Sequence, residues 1–367
     1  FGAKDVVIEH STDGEKWTVL EGVPEFTRAP GVATYTADTI VDFGGIMAKY
    51  VRVTINSNWG GVTQQTSLSE VRFFYIPLQA FGPQPPDGAT NVSVGVSLSW
   101  RPGREATSHT VSIGPDAQDP GRGETATVTD HSYTPANLSL GTKYFWKVDE
   151  SSDGHAGGQP GNYPGDVWSF TTEEFVVVED FDRYNDDIDA ETTIWHAWID
   201  GLTDKASGSQ VGYNEAPFAE RTVVRSGSQS MPLTYDNTSF AFSEAKRTFD
   251  DAQDWTAHGV KTLAIHFAGT AGNTGKLYVK INNAKVSYNG DEKDLARTGW
   301  QAWNIDLTKI TGMSNVRSLT IGVEGAGATG KLYFDDIRLS PKAPQYTTPA
   351  EPDNANLIAW YAFEGDV

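Results

Sequence analysis

Apolar and polar residues alternate with a period of two along most of this chain. Asp5-Val6-Val7-Ile8-Glu9-His10 and Ala48-Lys49-Tyr50-Val51-Arg52-Val53-Thr54-Ile55 read as strands, because successive side chains of a strand face opposite sides. So do Lys261 to Phe267, Lys276 to Ile281, Ser318 to Val323 and Tyr333 to Leu339. Trp303, Ile305 and Leu307 fall on one side of another strand and are expected to face a core. Short turns rich in Gly, Asn and Asp separate these runs. Ser11-Thr12-Asp13-Gly14-Glu15-Lys16-Trp17 predicts a hairpin turn, since Gly takes positive φ without steric cost. Helical periodicity is almost absent. The pattern predicts an all-β chain of tandem sandwich modules.

Composition narrows the function. The 367 residues leave room for roughly two to three domains. There is no Cys, which excludes disulfides, thiolate metal sites and a Cys nucleophile. Stability must come from β cores and from any bound metal. With 28 basic and 48 acidic residues the net charge is −20. Nucleic-acid phosphates and anionic membrane surfaces both need a basic face, so neither is an expected partner. No apolar run reaches membrane-spanning length, and membrane insertion is not expected. The balance suits a secreted protein in a calcium-rich medium. No signal peptide is visible, and both ends read as cut from a longer polypeptide.

Three motifs in order, "STDGEKW", "AKYVRV" and "SLSEVRF", make residues 1–77 similar to the C-terminal half of a discoidin domain. Within it, Asn56-Ser57-Asn58-Trp59-Gly60-Gly61 is either a binding loop with Trp59 as a platform or a structural turn with the indole tucked in. Pro83-Gln84-Pro85-Pro86-Asp87-Gly88 is a stiff linker within residues 78–173, which resemble a fibronectin type III sandwich. The resemblance assigns Trp100 to an early strand and makes Tyr144 the corner tyrosine of a late one. Residues 174–341 resemble a jelly-roll carbohydrate-binding module. Gly272-Asn273-Thr274-Gly275-Lys276-Leu277-Tyr278 returns there as Gly327-Ala328-Thr329-Gly330-Lys331-Leu332-Tyr333, an echo expected of repeated hairpins or of two chance turns. Residues 342–356 are a linker. Residues 357–367 resemble the first strand of a laminin-G or concanavalin-like lectin domain.

Acids crowd both ends of the 174–341 module, in Glu179-Asp180-Phe181-Asp182 and in Asp335-Asp336. From the residues alone they are strand-end charges or ligands for a hard cation. The resemblance implies one structural Ca²⁺ held by Asp180, Asp182 and Asp335, with a backbone carbonyl near Ser226. Strand alternation then puts Asp336 on the opposite face.

Catalytic signatures are missing. Gly325 to Lys331 nearly spells a phosphate loop, but Leu332 stands where a Ser or Thr must bind Mg²⁺ and a strand pattern follows. The seven His are scattered, with none at zinc-ligand spacing. Glycosidase chemistry needs only two carboxylates at a fixed gap, but acidic pairs such as Asp186-Asp187 and Asp250-Asp251 read as solvated loop charge. Tryptophan and tyrosine are abundant in 174–341, and flat aromatic faces stack on the apolar C–H faces of sugars. Trp198, Tyr213 and Trp255 are the expected exposed platforms. The expectation is a non-catalytic extracellular or cell-surface region that binds polysaccharide or surface glycan. Two alternatives stand beside it. One is a subunit of an extracellular fibre that pairs with neighbouring copies through strand edges. The other is an accessory region of a glycoside hydrolase.

Overall fold

The computed structural model describes all residues except 1, 33, 37, 62–64, 69, 76, 105, 155–160 and 344–367. The lectin-like strand expected at 357–367 and nearly all of the 342–356 linker lie outside the described residues. The chain is all-β. Its strands run β1 (Val6–Ser11), β2 (Thr18–Val19), β3 (Tyr50–Ile55), β4 (Phe81–Gln84), β5 (Ala89–Val92), β6 (Leu98–Arg101), β7 (Ser108–Gly114), β8 (Glu124–Val128), β9 (Ser132–Tyr133), β10 (Lys143–Ser152), β11 (Gly161–Tyr163) and β12 (Trp168–Thr172). They continue as β13 (Val176–Glu179), β14 (Trp198–Asp200), β15 (Ser209–Val211), β16 (Met231–Asp236), β17 (Phe242–Gln253), β18 (Thr262–Ala268), β19 (Lys276–Ile281), β20 (Ala284–Ser287), β21 (Gln301–Asp306), β22 (Val316–Glu324) and β23 (Thr329–Ser340). Two single helical turns, α1 (Ile194–Ala197) and α2 (Gly201–Asp204), flank β14.

The chain divides into two compact units. One holds Phe1–Asp87, Ser97–Tyr133 and Phe145–Trp168; the other holds Gly88–Val96, Thr134–Tyr144 and Ser169 onward. The division runs through 78–173 rather than at its ends.

In the first unit β1 lies between β2 and β3. The expected hairpin turn is present: Asp13 Oδ1 accepts the Glu15 and Lys16 N–H groups, and Gly14 takes φ +80°. Trp59 is tucked. Its indole N–H donates to Phe26 O at 2.9 Å and Lys4 covers its ring. Val71 to Phe73 form no strand, and Phe73, Phe74 and Tyr75 are exposed. Further along, β6 pairs with β4 and β9, while β7 pairs with β8 and β10. Trp100, Trp146 and Trp168 pack edge to face in the core there. His109 and Glu150 form a fully buried pair against Trp100.

In the second unit the Tyr144 hydroxyl accepts the Ser139 N–H at 2.8 Å, and its ring meets Phe170. The larger part of this unit is a two-sheet antiparallel sandwich. One sheet runs β15-β16-β23-β18-β21, with β13 also paired to β23; the other runs β14-β17-β22-β19-β20. Alternate residues of both fill one core, among them Trp303, Ile305 and Leu307 as the alternation predicts. The two echoing turns lie side by side: Thr274 N donates to Thr329 O and Thr329 N donates to Thr274 Oγ1.

One buried carboxylate joins the two sheets. Glu179 ends β13 and is 2% exposed. It accepts from the Tyr184 hydroxyl at 2.7 Å, the Trp198 indole N–H at 3.3 Å and Arg183 at 3.3 Å. Arg247 on β17 completes the set. Trp198 and Arg247 are register partners on β14 and β17. Removing the carboxylate leaves a mostly buried guanidinium without its counter-charge. Glu179→Ala should therefore cost about 3–5 kcal/mol of unfolding free energy in urea, against under about 1 kcal/mol for the exposed pair partner change Lys309→Ala. A loss at Glu179 no larger than at Lys309 would contradict this role.

Candidate binding cleft

Trp198 and Trp255 are not platforms. Trp198 is fully buried and Trp255 is 1% exposed, both within the sandwich core. Trp198 opens a strand whose inward residue must cover Phe181, at 5.8 Å between rings. Trp255 packs edge to face on Phe249 and donates to Gln253 Oε1 at 2.9 Å. Tyr213, the third expected residue, does reach a cleft.

That cleft holds about 260 Å³ and is lined by Trp195, Asp200, Leu202, Thr203, Gln210, Val211, Tyr213 and Asn214. Its frame is Asp200 at the end of β14. The Asp200 side chain is buried; Oδ1 accepts Thr203 N–H at 2.9 Å, capping α2, and Oδ2 accepts Val211 N–H at 2.6 Å. A single carboxylate thus fixes α2 against β15. Trp195 sits in α1, half-buried, with its ring edge on Phe218 at 4.3 Å. Gly212 allows this approach. It takes φ +78°, and a Cβ there would stand 3.2 Å from the Trp195 ring. Leu202 is 53% exposed at the rim.

Tyr213 is half-buried and held from two sides. Its hydroxyl donates to Glu220, and Lys331 covers its ring at 4.9 Å. Burial and the Glu220 carboxylate together push the phenol far above its ordinary range. Burial alone would raise the Glu220 pKa. Hydrogen bonds from Thr222 and Tyr213, with the Thr222 and Val223 amides, outweigh it and bring the carboxyl down to about 2. Gln210 Nε2 donates to Asn214 Oδ1 at 2.7 Å across the cleft wall. Trp195, Gln210 and Asn214 were not marked by the sequence. Trp195 and Trp198 are three residues apart in an apolar run, and only the switch from a helical turn to a strand separates their directions.

Of the acids expected to hold calcium, Asp335 and Asp182 reach one loop, Arg225 to Gln229, and Asp180 does not; together they do not form a cation cage. Asp335 is fully buried and accepts the Arg225 and Ser226 N–H groups at 2.9 and 3.2 Å. Asp182 accepts Ser228 N–H at 2.8 Å and Gln229 N–H at 3.2 Å. Asp180 accepts the N–H of Asp182. Gly227 is required, because a Cβ there would lie 1.8 Å from Asp182 Oδ2. The loop thus turns peptide N–H groups, the Ser226 amide among them, toward the carboxylates, the wrong polarity for a cation. Among the described residues no three His, Asp or Glu side chains cluster to hold a metal ion. As arranged, this donor set does not fit Ca²⁺.

Asp336 is also not on the opposite face. The β18–β23 and β13–β23 registers both shift here, and Asp336 takes φ +50°. This bulge breaks the alternation. Asp336 turns to the same loop and accepts the Ser226 hydroxyl at 2.8 Å, with Arg225 and Arg338 balancing its charge.

No protein-family profile matches the chain, and no curated protein does either. Solved structures resemble parts of it. A family 11 carbohydrate-binding module from a Clostridium thermocellum cellulosomal cellulase matches at 14% identity and TM-score 0.28, over 47% of this chain and 97% of that one. A family 30 carbohydrate-binding module matches at 16% identity and TM-score 0.28, over 41% and 90%. An exo-β-agarase matches at 11% identity and TM-score 0.26, over 38% of this chain and 23% of its own. The chain therefore spans under a quarter of that agarase. At these scores the likenesses carry no argument about function.

Because Glu220 titrates below its ordinary 4.5, its ionised form stabilises the fold above that pH. This contribution is lost as pH falls from about 4.5 through 2 and amounts to roughly 3 kcal/mol. The stability gap between wild type and Glu220→Gln should shrink by that order over this window in urea titrations; a constant gap contradicts the assignment. For the Arg225–Gln229 loop, EDTA should leave the melting temperature unmoved. A calcium-dependent rise lost in Asp335→Asn would show that the loop re-turns its carbonyls to a metal.

Proposed function

We propose that this chain is a non-catalytic glycan-binding region, with the Trp195–Tyr213 cleft as its site. The observation that carries the reading is the pairing of two half-exposed aromatic rings with two side-chain amides that each keep one group free, in a cleft fixed by a buried carboxylate. An aromatic face is electron-rich and attracts the polarised C–H groups of a sugar ring. Amides set beside it direct hydroxyls, the usual division between apolar lining and a few placed polar groups. The lining acid, Asp200, has both oxygens engaged by backbone N–H groups, so it is not poised for proton transfer. Adhesion to surface polysaccharide outside the cell is the setting in which such a module works.

Trp195→Ala should weaken binding of a recognised oligosaccharide by at least about tenfold in titration calorimetry, or about 1.4 kcal/mol, with the fold retained. Trp198→Ala should instead cost about 3–5 kcal/mol of stability, as a core indole. Unchanged glycan affinity in a folded Trp195→Ala protein would overturn the site.

A further inference from the structure

The cleft also indicates what kind of sugar it takes; this step rests on the glycan-binding reading. Gln210 and Asn214 use one group each on one another, through Gln210 Nε2 and Asn214 Oδ1. That bond fixes both amides. It leaves Gln210 Oε1, an acceptor, and Asn214 Nδ2, a donor, with no protein partner among the described residues, and both residues line the cleft. Each sugar hydroxyl can donate and accept. Two neighbouring hydroxyls can satisfy this pair together, one donating to Gln210 Oε1 and the other accepting from Asn214 Nδ2.

Charge points the same way. The lining contains no Lys or Arg. Lys331, close by, lies over the Tyr213 ring, whose hydroxyl is bonded to the Glu220 carboxylate, so the pair adds no net positive charge. Asp204 and Glu215, next in sequence to lining residues, are exposed acids. Lys205, at the end of α2, donates to Leu202 O at the rim, but Asp204 and Glu215 outnumber it, so a carboxylate or sulfate entering here would meet a net acidic surround and would lose hydration. We propose that the cleft recognises an uncharged sugar unit through a vicinal diol, read by the Gln210–Asn214 amide pair while the ring lies against Trp195 and Tyr213.

The test is titration calorimetry on the whole chain with neutral oligosaccharides, counterparts of the same backbone bearing uronate or sulfate, and single-deoxy analogues. Neutral ligands should bind, with the anionic counterparts at least about tenfold weaker. Asn214→Asp keeps the acceptor for Gln210 and removes the Nδ2 donor. It should weaken the neutral ligand about tenfold and leave one deoxy analogue nearly unchanged, because that analogue has already lost the hydroxyl concerned. Asn214→Ala, read the same way, guards against an effect of the new charge. Equal affinity for the anionic counterparts, or full affinity in both Asn214 variants, overturns the diol reading; if Trp195→Ala still abolishes binding, the glycan site itself stands. Binding of no glycan in any form overturns both.

Discussion

The Glu179 carboxylate is the contact on which the sandwich of the second unit turns. It lies at the end of the opening strand, in one sheet, and gathers donors from Trp198 and Arg247 on adjacent strands of the other. Burying it alone would be prohibitive. Buried with a guanidinium, a phenol and an indole N–H, it fixes the inward direction of Trp198. The cleft inherits this constraint. With Trp198 inward, the single turn of α1 leaves Trp195 at the surface, and β14 ends two residues later at Asp200. That second buried carboxylate then places α2 and β15 as the cleft walls.

A related solution governs the other end of the chain's largest module. Asp335 and Asp336 are adjacent, and an unbroken strand would have turned one of them to the core. The bulge and the positive φ of Asp336 bring both to the Arg225–Gln229 loop, where amides meet Asp335 and two arginines meet Asp336. From the other side Asp182 holds the same loop by its following N–H groups. The crowding of acids at both chain ends of the module is thus answered by peptide dipoles and arginine charge.

Much of the fold was legible because strand alternation is a local signal. Trp303, Ile305 and Leu307 face the core as their spacing requires, and Asp13-Gly14 makes the turn its chemistry favours. The site was legible only in part. The sequence points to Tyr213 but also to Trp198 and Trp255 and not to Trp195, since nothing in Ile194-Trp195-His196-Ala197-Trp198 tells which indole a helical turn will leave outside. Gln210 and Asn214 carry no signature beyond polarity. The placement of Asp336 failed for a definite reason: alternation has no term for a bulge, and Asp tolerates positive φ without announcing it.

On the proposed reading, sugar binds between Trp195 and Tyr213. A crystal structure of the chain soaked with an oligosaccharide it binds tests this most directly. A sugar ring is expected against the Trp195 face, with adjacent hydroxyls at Gln210 Oε1 and Asn214 Nδ2. Density for the sugar on another face of the sandwich, with this cleft empty, would contradict it.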